Sequence, residues 1–253
     1  MGTAVSAAIR LNDLTLGYDG HPAVHHLHGA FAAGSLTAIV GPNGSGKSTL
    51  LKGIMGWLTP IGGKIERAGE IAYLPQSAEI DKSFPATVNE LIGLGLWKSR
   101  GVFGGLDATD RERIAKALHA VGLDGFARRP IDTLSGGQLQ RALFARVLLQ
   151  NAPIVLLDEP FTAIDERTVH DLVHLVGHWH QEGRTVIAVL HDIELVRRHF
   201  PETLLLAREP IAWGRTPVTL KPENLQRARG MPEAWDEHAP WHDNGQAQAG
   251  HVH

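Results

Sequence analysis

Apolar residues recur along the chain in two alternating rhythms, one suited to buried strands and one to helices. "GSLTAIVGPNGSGKSTLLKGIMGWL" runs from an apolar strand through a glycine loop into a helix carrying Leu50, Leu51 and Ile54, with a stop near Thr59 and Pro60. "EIAYLPQ" reads as a second strand closed by Pro75, and "DATDRERIAKALHAVGL" sets Ile114, Ala117, Leu118 and Val121 at helical spacing. Helical patterning continues to Gln150. A buried-type strand "APIVLLDEP" follows, then a helix from about Glu166 to Glu182, a strand "TVIAVLHD", a short helix and a strand "TLLLA". Strands alternating with helices predict an α/β fold whose mostly parallel sheet is covered on both faces, with residues about 77–150 as an inserted helical lobe.

Composition narrows the partners. A chain of 253 residues with 43% hydrophobic content can bury a sizeable core. Its net charge of -3 offers no basic stripe, so nucleic acid is not expected as a partner. The lack of cysteine removes disulfides, thiolate catalysis and thiolate zinc sites, and is compatible with a reducing cytoplasm. No run of about eighteen uncharged apolar residues spans a bilayer, and the N-terminus lacks the pattern of a secretory signal. Any link to a membrane therefore goes through another polypeptide.

Two stretches carry the chemistry most plainly. "GPNGSGKS", Gly41 to Ser48, fits G-x-x-x-x-G-K-[ST] between a strand and a helix. Its glycines let backbone N–H groups wrap a phosphate chain, and the helix behind points its positive end at the same charge. Lys47 would neutralise β- and γ-phosphates, and the Ser48 hydroxyl would bind Mg²⁺. In "IVLLDEP" an apolar strand leads straight into two carboxylates at its C-terminal edge, where ligands bind in such sheets. Asp158 is expected to hold Mg²⁺ through water, Glu159 to act as general base towards an attacking water, and His191, ending the next strand, to reach the γ-phosphate.

A second glycine-rich stretch, "LSGGQLQR", begins another helix about ninety residues downstream of the first. In chain order, "GPNGSGKST", "LPQ", "LSGGQLQR", "IVLLDEP", "TAID" and "VLHD" resemble the Walker A, Q-loop, signature, Walker B, D-loop and H-loop of an ABC-transporter ATPase. Five specified residues such as "LSGGQ" arise at a given position by chance on the order of once in a million. The likeness covers residues about 8–228 and implies a P-loop NTPase core with an N-terminal antiparallel β region and a helical signature subdomain. It also implies ATP and Mg²⁺ as the bound species, with Gly41, Pro42, Asn43, Gly44, Ser45, Gly46, Lys47, Ser48 and Thr49 around the phosphates. In that family two subunits pack head to tail, so Ser135, Gly136, Gly137 and Gln138 would cap the ATP of a second copy. Gln76 would touch Mg²⁺ and the attacking water, Asp165 would communicate across the dimer, and Tyr18 matches the aromatic position that stacks on adenine. The D-loop departs from many relatives in having Thr162 where they have serine.

The resemblance further implies a separate transmembrane permease, a place on the cytoplasmic face of the membrane, and an external binding protein acting indirectly. "IDKSFPATVNELIGLGLW" is similar to the lobe of zinc and manganese importer ATPases, with an "FP-x-TV" core at Phe84, Pro85, Thr87 and Val88. Zinc is expected first and manganese second. Iron-siderophore or cobalamin importers, or an exporter with a separate pore, are the alternatives. His170, His174 and His178 fall on one side of a helix at a spacing that could ligate zinc, and are expected to form a solvated face rather than a regulatory metal site, since no carboxylate or thiolate joins them. The polar tail, residues 229–253, is expected to be mobile.

Overall fold

The computed structural model describes residues 6–76, 80–97 and 105–230. The tail histidines His238, His242, His251 and His253 lie outside the described residues, so the expectation for the tail rests on sequence alone. In chain order the strands are β1 (Ala7–Tyr18), β2 (His21–Ala32), β3 (Leu36–Val40), β4 (Gly62–Arg67), β5 (Ile71–Leu74), β6 (Ile154–Asp158), β7 (Thr185–Val189), β8 (Glu202–Ala207) and β9 (Glu209–Arg215). The helices are α1 (Lys47–Met55), α2 (Val88–Gly93), α3 (Ala108–Ala120), α4 (Gly136–Gln150), α5 (Glu166–Gln181), α6 (Ile193–His199), α7 (Thr216–Thr219) and α8 (Pro222–Arg229).

Six strands form one sheet in the order β5-β6-β7-β3-β8-β9, parallel from β5 to β8, with β9 antiparallel at one edge. Every residue of β3, β6 and β7 is buried, which explains why these strands read as unbroken apolar runs. Their side chains still alternate between two cores. Ile39, Leu156, Ile187 and Leu204 pack on one face with Leu50, Leu51 and Ile54 of α1, while Val40, Val155, Val186 and Leu205 pack on the other with α4 and α5.

The N-terminal strands form a second, antiparallel sheet in the order β2-β1-β4, as the resemblance implies. In β1, Leu11 and Leu14 are both fully buried although a regular strand would turn them to opposite faces. A register shift between them, with Asp13 at a φ of 48°, supplies the extra residue that brings both inward.

Between β5 and β6 the described chain is helical, as expected. Val88, Ile92, Ile114, Leu118 and Leu143 belong to the same continuous core as the sheet residues Val155 and Leu157. Two details differ from the sequence reading. The first helix ends at Met55, before Thr59 and Pro60, because Gly56 takes a left-handed φ of 79° and its N–H closes onto the Gly53 and Lys52 carbonyls. No residue of β4 or β9 is fully buried, Ile65, Ile211 and Trp213 only partly covering the cores, so their sequences lack the alternation that would announce them. Among the described residues no helix is long and apolar enough to cross a membrane.

Candidate functional site

The sheet order assembles the site. β5, β6, β7 and β3 run side by side and parallel, so the segments leaving their C-terminal ends are neighbours: Gln76 after β5, Glu159 after β6, His191 after β7 and Gly41 after β3. Asp158 is the last residue of β6 and is only 2% exposed.

The loop from Gly41 to Gly46 is shaped by close backbone contacts. A Cβ on Gly41 would overlap the Leu206 carbonyl oxygen of β8, and one on Gly46 would press on Val24 and the Ala23 carbonyl of β2. Gly44 and Gly46 sit at φ of 72° and 89°, which glycine adopts without a Cβ clash. Ser45 N donates to the Pro42 carbonyl at 3.3 Å, and the Arg208 N–H donates to the Ser45 carbonyl at 3.1 Å, so the loop is pinned from within and from β8. Asn43 and Gly44 stay exposed at its tip, and Thr49 is half-buried on α1.

Lys47 folds back over this loop, its Nζ donating to the Gly41 carbonyl at 3.0 Å and the Pro42 carbonyl at 2.8 Å. Burial lowers its pKa, while the carboxylates of Glu159 and Asp158 act in the opposite direction. A cationic donor held beside a cradle of backbone N–H groups is suited to a polyphosphate. Ser48 Oγ lies 3.3 Å from Asp158 Oδ1, and the Tyr73 hydroxyl lies 3.4 Å from Asp158 Oδ2. A hydroxyl and a carboxylate side by side are hard oxygen ligands of the kind Mg²⁺ takes, so this pair fits the ion.

Glu159 is the most constrained residue of the site. Its φ is 48°, in the left-handed region, and its N–H donates to the Val189 carbonyl at 3.2 Å. Gln76 Nε2 donates to Oε2 at 2.9 Å, and His191 Nε2 meets Oε1 at 2.7 Å. Thr162 adds a longer contact to Oε2 at 3.4 Å. His191 thus turns its Nε2 onto Glu159, as the Nε2–H tautomer or the imidazolium, and that nitrogen is already engaged here.

The signature residues are elsewhere in the chain's own surface. Ser135 caps α4, its Oγ accepting from Gln138 N at 3.2 Å while Gln138 Oε1 accepts from Ser135 N at 3.1 Å. Gly136 and Gly137 approach the Ala163 carbonyl and the Asp165 carboxylate. Asp165 caps α5, and the hydroxyl and then the backbone N–H of Thr168 lower its pKa. Gln140 Nε2 ties α4 to the strand-end turn by donating to the Pro160 carbonyl at 2.8 Å. Tyr18 is 47% exposed at the β1–β2 hairpin, whose second strand touches Gly46.

The structure therefore brings together Gln76, Glu159 and His191, and separately Ser48 with Asp158, while the exposed Ser135, Gly136 and Asp165 and the half-buried Gly137 and Gln138 form a second group. Sequence reasoning missed Tyr73 as a partner of Asp158 and Thr162 as a partner of Glu159. Both lie inside the quoted stretches "EIAYLPQ" and "TAID", which was the available signal.

Comparison with known proteins gives a consistent picture. The ABC transporter family model matches residues 24–162. The manganese transport system ATP-binding protein MntB of Listeria monocytogenes is 37% identical over 230 residues, covering 88% of this chain and 96% of that protein. The zinc transport system ATP-binding protein TroB of Treponema pallidum is 36% identical, covering 90% of this chain and 89% of that protein. Among solved structures, an inward-facing ABC transporter described as of metal-chelate type matches with a TM-score of 0.81 at 30% identity, over 89% of this chain and 90% of that chain. A dimeric bacterial ABC transporter cassette matches at 0.73 and 28% identity, over 82% of this chain and 98% of that chain.

Gly41→Ala should keep the secondary structure but displace the phosphate loop, because the Leu206 carbonyl it meets belongs to a strand that cannot yield. Overpacking of this kind costs about 1–3 kcal/mol, and a fluorescent ATP analogue should bind about tenfold or more weakly. Unchanged affinity would contradict the fit described for this loop.

Proposed function

The chain belongs to the ABC transporter ATPases, and from that premise we propose that it is the ATP-hydrolysing subunit of an importer for a divalent metal ion, zinc or manganese. It is an ATPase. The observation that carries the catalytic reading is the Glu159 carboxylate held between Gln76 and His191, next to Lys47, Ser48 and Asp158.

A carboxylate has about four lone-pair positions. Gln76 and Thr162 occupy those of Oε2 and His191 one of Oε1, which leaves Oε1 able to accept a proton from water. Glu159 then acts as general base towards the water that attacks the γ-phosphate, with Gln76 and His191 fixing its direction. Backbone N–H groups of residues 41–46 and Lys47 hold the phosphates, and Tyr18 stacks on the adenine. Ser48 and Asp158, with Gln76 close by, would hold Mg²⁺, which when bound neutralises charge on the β- and γ-phosphates.

Ser135, Gly136, Gly137 and Gln138 present the N-terminus of α4 outward from an exposed position. This supports a head-to-tail homodimer in which each copy closes the other's γ-phosphate site, with Asp165 at the contact. Relatives named for manganese and zinc transport support the metal cargo, and a separate permease receives the motion. Phe84, Leu94 and Trp97 are large, apolar and exposed on the helical segment after β5, which supports that segment as the permease contact. The chain then works at the cytoplasmic face of the membrane, with an external binding protein delivering the ion to the permease. Import of a metal chelate is the second reading, favoured by the likeness to the transporter described as of metal-chelate type.

Glu159→Gln should lower steady ATP hydrolysis by about 10²- to 10⁴-fold, retain ATP binding and elute as a dimer with Mg-ATP in size exclusion. Adding Ser135→Arg should return it to the monomer position, whereas persistence of the dimer would contradict the composite site. Cells lacking the gene and grown under metal limitation should lose zinc or manganese in elemental analysis. Loss of iron or cobalt with both of those unchanged would replace this cargo by a chelate.

A further inference from the structure

His170 and His174 stand one turn apart on the exposed side of α5, opposite the buried Leu172, Val176 and Trp179. Their rings meet edge-on with centroids 4.4 Å apart and planes inclined by 63°, and their Nε2 atoms are separated by 3.2 Å. Two imidazole nitrogens bound to one zinc ion at about 2.0–2.1 Å with a tetrahedral angle lie about 3.3–3.4 Å apart. The pair is already at that bite.

The other nitrogen of His170 completes the arrangement. Nδ1 lies 3.6 Å from Asp171 Oδ1, and Asp171 is itself anchored by Arg141 at 2.8 Å. At that distance the two are not hydrogen-bonded, and the carboxylate acts on the imidazole as a nearby negative charge that favours a cation at Nε2. One turn further on, His178 pairs with Glu182 at 3.2 Å. The sequence reading as a plain solvated face left out these carboxylates, one adjacent in sequence and one at i+4. His174, His178 and His199 also line a cavity of about 230 Å³ between α5 and the end of α6. Among the described residues no three metal-capable side chains converge at coordination distance, so water has to complete the coordination shell.

We propose that His170 and His174 form an open binding site for a divalent transition-metal ion of the imidazole-preferring class, zinc, nickel or copper, outside the nucleotide site. Such an ion clips two successive turns of the helix that Asp165 caps, and so stabilises that helix.

Zinc alone is the probe, added to the full chain in which His238, His242, His251 and His253 are replaced by asparagine. Nitrogen-15 spectra of the histidine side chains should show both Nε2 signals moving together and saturating at one equivalent. The melting temperature should rise with zinc. His170→Ala with His174→Ala should remove that equivalent while leaving ATP binding unchanged, and Asp171→Asn should weaken it. If excess zinc leaves both Nε2 signals in place, the contact is a histidine–histidine hydrogen bond and the proposal fails. It fails equally if the zinc equivalent survives in the double alanine variant.

Discussion

The carboxylate of Glu159 depends on three parallel strands ending side by side. Gln76, Glu159 and His191 are separated widely in sequence, yet each is among the first residues beyond a strand, and β5, β6 and β7 are adjacent. Hydrogen-bonded register alone therefore delivers a donor to each oxygen of the glutamate, at 2.9 Å and 2.7 Å. A non-glycine residue at a φ of 48° costs about 1–3 kcal/mol. The backbone bond to Val189 and the two side-chain bonds offset that cost, so the strain is confined to the residue whose direction matters.

The same sheet explains what the site lacks. The phosphate loop follows β3, next to β7, and its cradle is completed by β2 and β8, with nothing from α4 in it. The N-terminus of α4 is capped by its own Ser135 and Gln138 and packed on the Asp165 turn, and it presents its positive end at the surface. In the proposed dimer this glycine-rich helix start would meet the anionic γ-phosphate of a second copy's nucleotide. A twofold axis would make the two such contacts of that dimer equivalent.

Much of this was legible because buried parallel strands advertise themselves. β3, β6 and β7 are buried at every position and mostly apolar, and the glycine loop, Glu159 and His191 follow close on their ends, so strand ends and candidate site residues could be read together. The edge strands β4 and β9 have no fully buried residue and left no pattern, and Gly56 ended the first helix before the proline that marked it in the sequence. The contacts of Tyr73 with Asp158 and Thr162 with Glu159 depend on side-chain direction, which periodicity does not encode. The spacing of His170 and His174 was visible, but the 3.2 Å between their nitrogens and the Asp171 contact were not.

The central claim is that each hydrolytic site is shared between two copies, and mixing two inactive variants tests it most directly. Lys47→Ala removes the phosphate-side lysine and Ser135→Arg blocks the signature, so each protein alone should hydrolyse no ATP. In a head-to-tail heterodimer one of the two sites has Lys47 from one copy and Ser135 from the other, both intact. The account predicts that ATP hydrolysis reappears when the two variants are mixed. Continued absence of activity in a mixture that still forms heterodimers would contradict it.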